Sequence, residues 1–317
     1  MAGVSFAEVM RAREVLRPLL PVTRLLAAQS LSRGDSKAYL KLESDLPTGS
    51  FKLRGAIYAL SVAIESGRVR EVVAHSTGNH GAAVAYAAKL FHLPARIFLP
   101  ENPNPVKRNN IARLGAQIVE RGRDSADAFE HATDYARAEG VFFLNDATDP
   151  VLPAGPATIA CEILEQLPET SAILVPMGDT ALIRGVAAAA KHLSPQVKIV
   201  GVQAEQAPSY YLSWRQKRVV PTETCNTLAD GLATRTPQAE NVAQIVELVD
   251  DVVTVSEQQM LDAIRHLLLE EHIVAEGAGA AAAAAWIEHG HGAGNVVLVM
   301  SGANASQALL QQALAKG

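Results

Sequence analysis

Three things are missing from this chain of 317 residues: paired cysteines, a surplus of positive charge and a long apolar run. The only cysteines, Cys161 and Cys225, sit in no CxxC or Cys/His cluster, so neither a disulfide framework nor a structural zinc is expected. A net charge of −5 and a pI near 6.0 leave no basic stripe to neutralise phosphates, which argues against a nucleic-acid partner. The most apolar stretch, residues 278–287, is mostly alanine and far too short to cross a bilayer. The N-terminus carries Glu8, Arg11, Arg13, Glu14 and Arg17 among its apolar residues and reads as an amphipathic helix, without the apolar core of a signal peptide. A cytoplasmic protein with no membrane partner is the expectation. Repeats, low-complexity tracts and Pro/Ser-rich linkers are absent as well, so any two domains pack on each other.

What is present is an ordinary globular composition, 49% hydrophobic and 19% charged, in a chain long enough for two domains. Short β-branched runs alternate with Ala-rich helical segments. Strands are predicted at 38–42, 72–75, 95–99, 117–119, 141–144, 172–176, 198–203, 251–255 and 295–300. Helices are predicted between most of them, at 81–91, 105–114, 125–138, 157–166, 183–192, 256–271 and 279–289. Strands that run Val/Ile/Leu without alternation, each followed by a helix, indicate an α/β fold of two open, mainly parallel twisted sheets with helices on both faces. The block from about Glu71 to Asp146 holds four such units. It is expected to form a small domain, residues 67–148, set into a large one built from 1–66 and 149–317.

One lysine stands out. Lys52, in the stretch LPTGSFKLRGA, follows a Pro-Thr-Gly-Ser turn and has Phe51, Leu53, Ala56, Ile57 and Leu60 around it. A lysine at the mouth of a buried helix is expected to have a lowered pKa and to serve as a nucleophilic amine. Four glycine turns follow strands, where α/β proteins place ligands. In HSTGNHG, residues 75–81, exposed amides and small polar side chains suit a carboxylate or phosphate, and the same turn reads equally as a helix N-cap. In VPMGDTALIRG, residues 175–185, the amides of 178–182 can wrap a phosphate with the Thr180 hydroxyl adding a donor, although Asp179 repels an anion unless paired or turned away. The other two turns, around Glu276 and Ser301, read alone as close packing.

Together, SFKLRGA, STGNHG, LADGLAT, EGAGA and SGAN, in that order and at these separations, resemble the fold type II pyridoxal-phosphate enzymes, whose architecture is tryptophan synthase beta-like. The closest branch is that of the threonine/serine dehydratases and serine racemases, and the likeness covers nearly the whole chain. It implies pyridoxal 5'-phosphate held by Lys52 as a Schiff base and contacted by Phe51. Asn79 would bond the ring hydroxyl, and the loop Gly178, Asp179, Thr180, Ala181 and Leu182 would hold the phosphate. Ser301 would face the pyridine nitrogen, leaving the ring a weaker electron sink that favours β-elimination. The substrate α-carboxylate would rest on Ser76, Thr77, Asn79 and His80, and Lys52 would move the α-proton.

The implied activity is an ammonia-lyase acting on an L-threonine- or L-serine-like β-hydroxy amino acid, giving a 2-oxo acid and ammonia. A homodimer with a small amino acid as its only partner is expected. Thr77 sits where racemases of the branch place a second acid, which makes racemisation the alternative outcome. The family's run of four glycines is replaced by Gly178-Asp179-Thr180-Ala181, and its AGQGT by AGPAT with Pro156. These departures leave room for a less common substrate, hydroxyectoine-derived or hydroxyaspartate-like, or for an inactive metabolite-binding homologue. No metal is expected, because Gln203 and Ser209 stand where some relatives put carboxylate ligands. The chain stops soon after SGAN, so feedback control through a further domain is not expected.

Overall fold

The structure is a computed structural model, and it describes residues 3–103, 105–290 and 294–315. Among these residues ten strands fold into two sheets: β1 (Leu25–Arg33), β2 (Ser36–Leu42), β3 (Glu71–His75), β4 (Ala95–Leu99), β5 (Gln117–Glu120), β6 (Val141–Phe143), β7 (Thr170–Pro176), β8 (Lys198–Ala204), β9 (Asp251–Val255) and β10 (Asn295–Met300). The larger sheet runs β1-β2-β10-β7-β8-β9 and the smaller β5-β4-β3-β6. Every pairing is parallel except β1 with β2. The reason is visible in the sequence: β7 and β10 are unbroken apolar runs buried on both faces, which only a sheet covered by helices accommodates.

Among the described residues twelve helices cover the sheets: α1 (Phe6–Leu16), α2 (Lys52–Glu65), α3 (Asn79–Leu90), α4 (Pro105–Arg113), α5 (Ser125–Tyr135), α6 (Ala154–Gln166), α7 (Ala181–Leu193), α8 (Ser209–Gln216), α9 (Ala239–Leu248), α10 (Glu257–Glu270), α11 (Gly277–His289) and α12 (Gln307–Leu314). One core packs α10 and α11 on one face of the large sheet, and a second packs α6, α7 and α9 on the other. A third joins α2 and α3 to the small sheet. Helix α11 presents only alanines and glycines until Trp286, which brings its backbone close to the sheet. The Trp286 indole donates to the Leu31 carbonyl (2.7 Å) and ties the helix to β1.

Beneath α2 lies a closed ionic cluster. Arg54, 2% exposed, donates to both oxygens of Glu43 (2.7 and 3.0 Å) and both of Glu162 (2.6 and 3.0 Å). Lys41 is fully buried and completes the balance with bonds to Glu162 (2.6 Å), the Thr23 carbonyl (2.8 Å) and Gln166 (2.9 Å). Two cations meet two carboxylates, and their remaining groups are hydrogen-bonded, the condition under which burying such charge is tolerable.

The structure departs from the sequence-based expectation at several elements. Strand β1 is missing from that expectation because it is an edge strand with a mostly exposed face and a mixed Leu/Ala/Ser composition. Helices α8, α9 and α12 are also additional, the first lying in a Tyr/Ser/Trp stretch of weak periodicity. Helices α6, α7 and α11 each begin before their expected starts. Pro156 consequently falls in the first turn of α6, where its missing N–H has no helical partner to lose.

Candidate active site

Both sheets are doubly wound, and each has one place where the winding direction reverses. In the small sheet the chain steps outward from β3 to β4 and β5, then returns to place β6 on the other side of β3. In the large sheet β8 and β9 lie to one side of β7 and β10 to the other. Ligands of open α/β sheets bind beyond the carboxyl ends of the strands at such reversals. The four segments that leave these strand ends are 76–80 after β3, 144–146 after β6, 177–180 after β7 and 301–302 after β10. They hold all the site residues expected from the sequence apart from Phe51, Lys52, Ala181 and Leu182, together with one that sequence reasoning missed, Asp146.

Lys52 is the first residue of α2 and closes the space between them. Its Nζ donates to Asp146 and forms an ion pair with it. The Phe51 ring centroid lies 5.4 Å from the same nitrogen. Phe51 N–H donates to the Ser301 carbonyl (3.0 Å), and Ser50 bridges Gly302, so the lysine's turn and the last turn are bonded together. Ala303 N–H reaches the Gly49 carbonyl (3.0 Å) and Asn304 the Thr48 carbonyl (2.9 Å) across the same seam. Ser301 itself is 4% exposed.

Asn79 starts α3. Its amide donates to Glu276 (2.6 Å) and its carbonyl oxygen accepts from Asn304 (2.7 Å). Glu276 precedes α11 and lies so close to Gly302 that any side chain there would strike its carboxylate. His80 is 5% exposed, with Nε2 bonded to the Leu144 carbonyl (2.8 Å) and Nδ1 lacking a partner, 3.8 Å from Asp146. Ser76 and Thr77 lie in the same turn, half-buried, and the Ser76 hydroxyl accepts from Gly78 N–H (3.1 Å).

The loop 178–182 enters α7 through Thr180, whose φ of +69° is left-handed and whose hydroxyl accepts from Arg184 (3.1 Å). Gly178 has no room for a Cβ, which would land on the Gly231 carbonyl. Asp179 is paired, as an anion site there requires: its carboxylate accepts from the Thr234 hydroxyl (3.0 Å). Helices α3, α7 and α11 all begin without a side-chain cap, so their first amides stay open toward the site. Gln203 and Ser209 are buried elsewhere, Gln203 accepting from Tyr211 N–H (2.8 Å) and Ser209 donating to the Thr234 carbonyl (2.6 Å).

The electrostatics correct one expectation. Burial pulls the Lys52 ammonium down, but Asp146, with Asp179 and Glu276 behind it, outweighs that and holds the group above its ordinary value. The sequence showed the apolar neighbours and not the carboxylates that the fold brings up. Burial likewise pushes the Asp146 carboxyl up, yet the opposing charges of His80 and Lys52 keep it well below the usual range. Asp179 has no such surplus; burial and the neighbouring Asp146 push it up. The signal for Asp146 was its place directly after a predicted strand at residues 141–144.

Residues 16–302 match the family described as pyridoxal-phosphate dependent enzyme. The chain is 36% identical over 316 residues to an L-threonine ammonia-lyase of Thermotoga maritima, covering 99% of this chain and 79% of that protein. A Geobacter sulfurreducens L-threonine ammonia-lyase is 36% identical over 268 residues, 84% of this chain and 67% of the other. Among solved structures, maize serine racemase superposes with a TM-score of 0.92 at 27% identity, over 99% of this chain and 98% of its own. The processed threonine deaminase isoform 2 of Solanum lycopersicum gives 0.90 at 29% identity, over 99% and 94%.

Proposed function

We propose, from the premise that this chain belongs to the pyridoxal-phosphate dependent enzyme family, that it is a lyase removing water and then ammonia from an L-threonine- or L-serine-like amino acid. The observation that carries the reading is convergence. The reversal points of two separate sheets open onto one lysine.

The residues present suit the cofactor. A half-buried lysine stands at the mouth of α2. The uncapped amides at the start of α7, with the Asp179 carboxylate bonded by the Thr234 hydroxyl, offer a seat for a phosphate. Lys52 would hold the cofactor, flanked by Phe51, with Asn79 at its ring hydroxyl, residues 178–182 at its phosphate and Ser301 at its ring nitrogen. When bound, pyridoxal phosphate supplies the sink for the electron pair left at the substrate α-carbon.

The protein's own groups do the rest. Ser76, Thr77, Asn79 and His80 fix the α-carboxylate on the open amides of α3. Lys52 takes the α-proton from its own side of the substrate. The β-hydroxyl departs with a proton as water, and the enamine that remains loses ammonia by hydrolysis. Segment 67–148, which carries the carboxylate-binding turn and Asp146, serves as the domain that closes over the substrate. A cytoplasmic homodimer is part of the same reading. Among the described residues no helix is long and apolar enough to cross a membrane.

The test is direct. The holoenzyme given L-threonine or L-serine should release 2-oxo acid and ammonia in equal amounts. Borohydride should fix the cofactor to the peptide that contains Lys52. Labelling of any other lysine sinks the assignment.

A further inference from the structure

Resting on that reading for the seat of the phosphate, we infer that Arg184 is the counter-ion of the cofactor's phosphate group, set behind the loop 178–182 rather than in it. Among the described residues three lysine or arginine side chains are buried: Lys41, Arg54 and Arg184. The first two share Glu43 and Glu162 in the sealed cluster. Arg184, 4% exposed, has only neutral partners. Its Nε donates to the Thr180 hydroxyl (3.1 Å) and its Nη1 to the Gln244 side-chain oxygen (3.2 Å), while Nη2 has no partner at all. A guanidinium does not shed its charge, and a buried cation without an anion is costly.

The position of Arg184 says which anion completes it. The residue lies in the first turn of α7 and is bonded twice to Thr180, where the loop turns into the helix. Its backbone N–H donates to the Thr180 carbonyl (2.9 Å), and its side chain folds back onto the Thr180 hydroxyl. The open amides of that helix end draw an anion, but they amount to only about half a positive charge. Asp179, in the same loop, opposes a phosphate dianion. A loop of four glycines, the usual form in this family, has no carboxylate to offset; this one does. A full positive charge held directly behind the loop offsets it, and a guanidinium suits phosphate oxygens.

A solvent anion is a poorer match. The cavity that Arg184 lines is also lined by Asp149 and Glu240, so an incoming anion meets carboxylates there. Burial pulls the guanidinium down, and the nearby Tyr210, Asp179 and Glu240 do not make that good.

Titration of the apoprotein with pyridoxal 5'-phosphate and with pyridoxal, which differ only by the phosphate, tests the assignment. Binding is read from cofactor absorbance and from thermal shift. Arg184→Met and Arg184→Gln should each weaken pyridoxal phosphate at least about 30-fold, the low end for removing one partner of a desolvated charge pair, while pyridoxal changes less than about threefold. The glutamine can still bond Thr180, so its loss isolates the charge from the hydrogen bond. Arg184→Lys, which keeps the charge, should recover most of the affinity. The Met variant's apoprotein should unfold no earlier than the wild type, because the cation it lacks has no counter-ion there. Equal weakening of pyridoxal and pyridoxal phosphate, or an apoprotein that unfolds much earlier or fails to fold, makes Arg184 a purely structural residue and overturns the inference. Undiminished pyridoxal phosphate affinity in both neutral variants overturns it too. Failure of the cofactor reading looks different: the wild type itself then takes up no pyridoxal phosphate at Lys52.

Discussion

Lys52 and Arg54 lie on the same first turn of α2, and the fold treats the two cations in opposite ways. Arg54 is 2% exposed and sealed: two carboxylates, two cations, and hydrogen bonds on every side. Lys52 stays half-buried against Asp146, with the charges of Asp179 and Glu276 also bearing on it and His80 Nδ1 3.8 Å from the same Asp146. A charge that holds the structure together is balanced on the spot, because an imbalance in the core is costly. At the site the charged groups stay close to solvent and shift one another's titration, as at functional positions.

The sharpest way to break this contrast is to delete each cation in turn. Lys52→Met should lower turnover at least about ten-thousand-fold, near 5.5 kcal/mol of barrier. Its unfolding free energy should move less than that of an Arg54 variant, since the one carboxylate that loses its partner, Asp146, keeps some solvent and His80 nearby. Arg54→Met should do the reverse, losing about 3–5 kcal/mol in urea denaturation because buried Glu43 loses its cation and Glu162 keeps only Lys41. If both substitutions damage stability alike, the two halves of the turn are not distinct.

Acid should open the sealed cluster as well. Burial pushes the Glu162 carboxyl up, but Arg54 and Lys41 outweigh it and hold the folded value below the ordinary 4.5. A carboxyl depressed on folding adds stability above its unfolded value, and that stability is lost as pH falls through the folded one. The urea midpoint should therefore drop as pH is lowered below 4.5, and Glu162→Gln should flatten the decline. A decline of equal slope in the variant would assign the effect to other groups.

The smallest expected effect sits at the edge of the site. Thr77 belongs to the half-buried turn that faces the carboxylate end of the substrate. Elimination from an L-amino acid needs one base, on the Lys52 side, so Thr77→Ala should keep ammonia release within about tenfold, roughly 1.4 kcal/mol. Any trace of D-isomer should vanish in the same variant. Complete loss of ammonia release would make Thr77 part of the main reaction.

Much of this was legible in the sequence, and the limits are physical. Buried parallel strands such as β7 and β10 announce themselves as unbroken Val/Ile/Leu runs, and the glycine turns after them mark where a ligand approaches backbone. The neighbours of Lys52 within α2 were equally plain. What did not show was anything that depends on a partner far along the chain. Nothing near Arg54 says that carboxylates from residues 43 and 162 will enclose it. Asp146 lies in a stretch, NDATDP, that looks like any polar turn. Only the return of β6 beside β3 carries it to the lysine and inverts the expected direction of that lysine's pKa.

The pairing of Ser50 with Gly302 bears on mechanical tolerance. Lys52 and Ser301 come from opposite ends of the chain, so their separation would ordinarily accumulate every small displacement of the sheets and helices between. The bonds from Phe51, Ala303 and Asn304 across that seam cut the accumulation short. Both residues ride on one stitched piece, like two jaws cut from a single casting, and their spacing is set by a few local bonds. A domain can swing elsewhere in the molecule without changing the gauge between them.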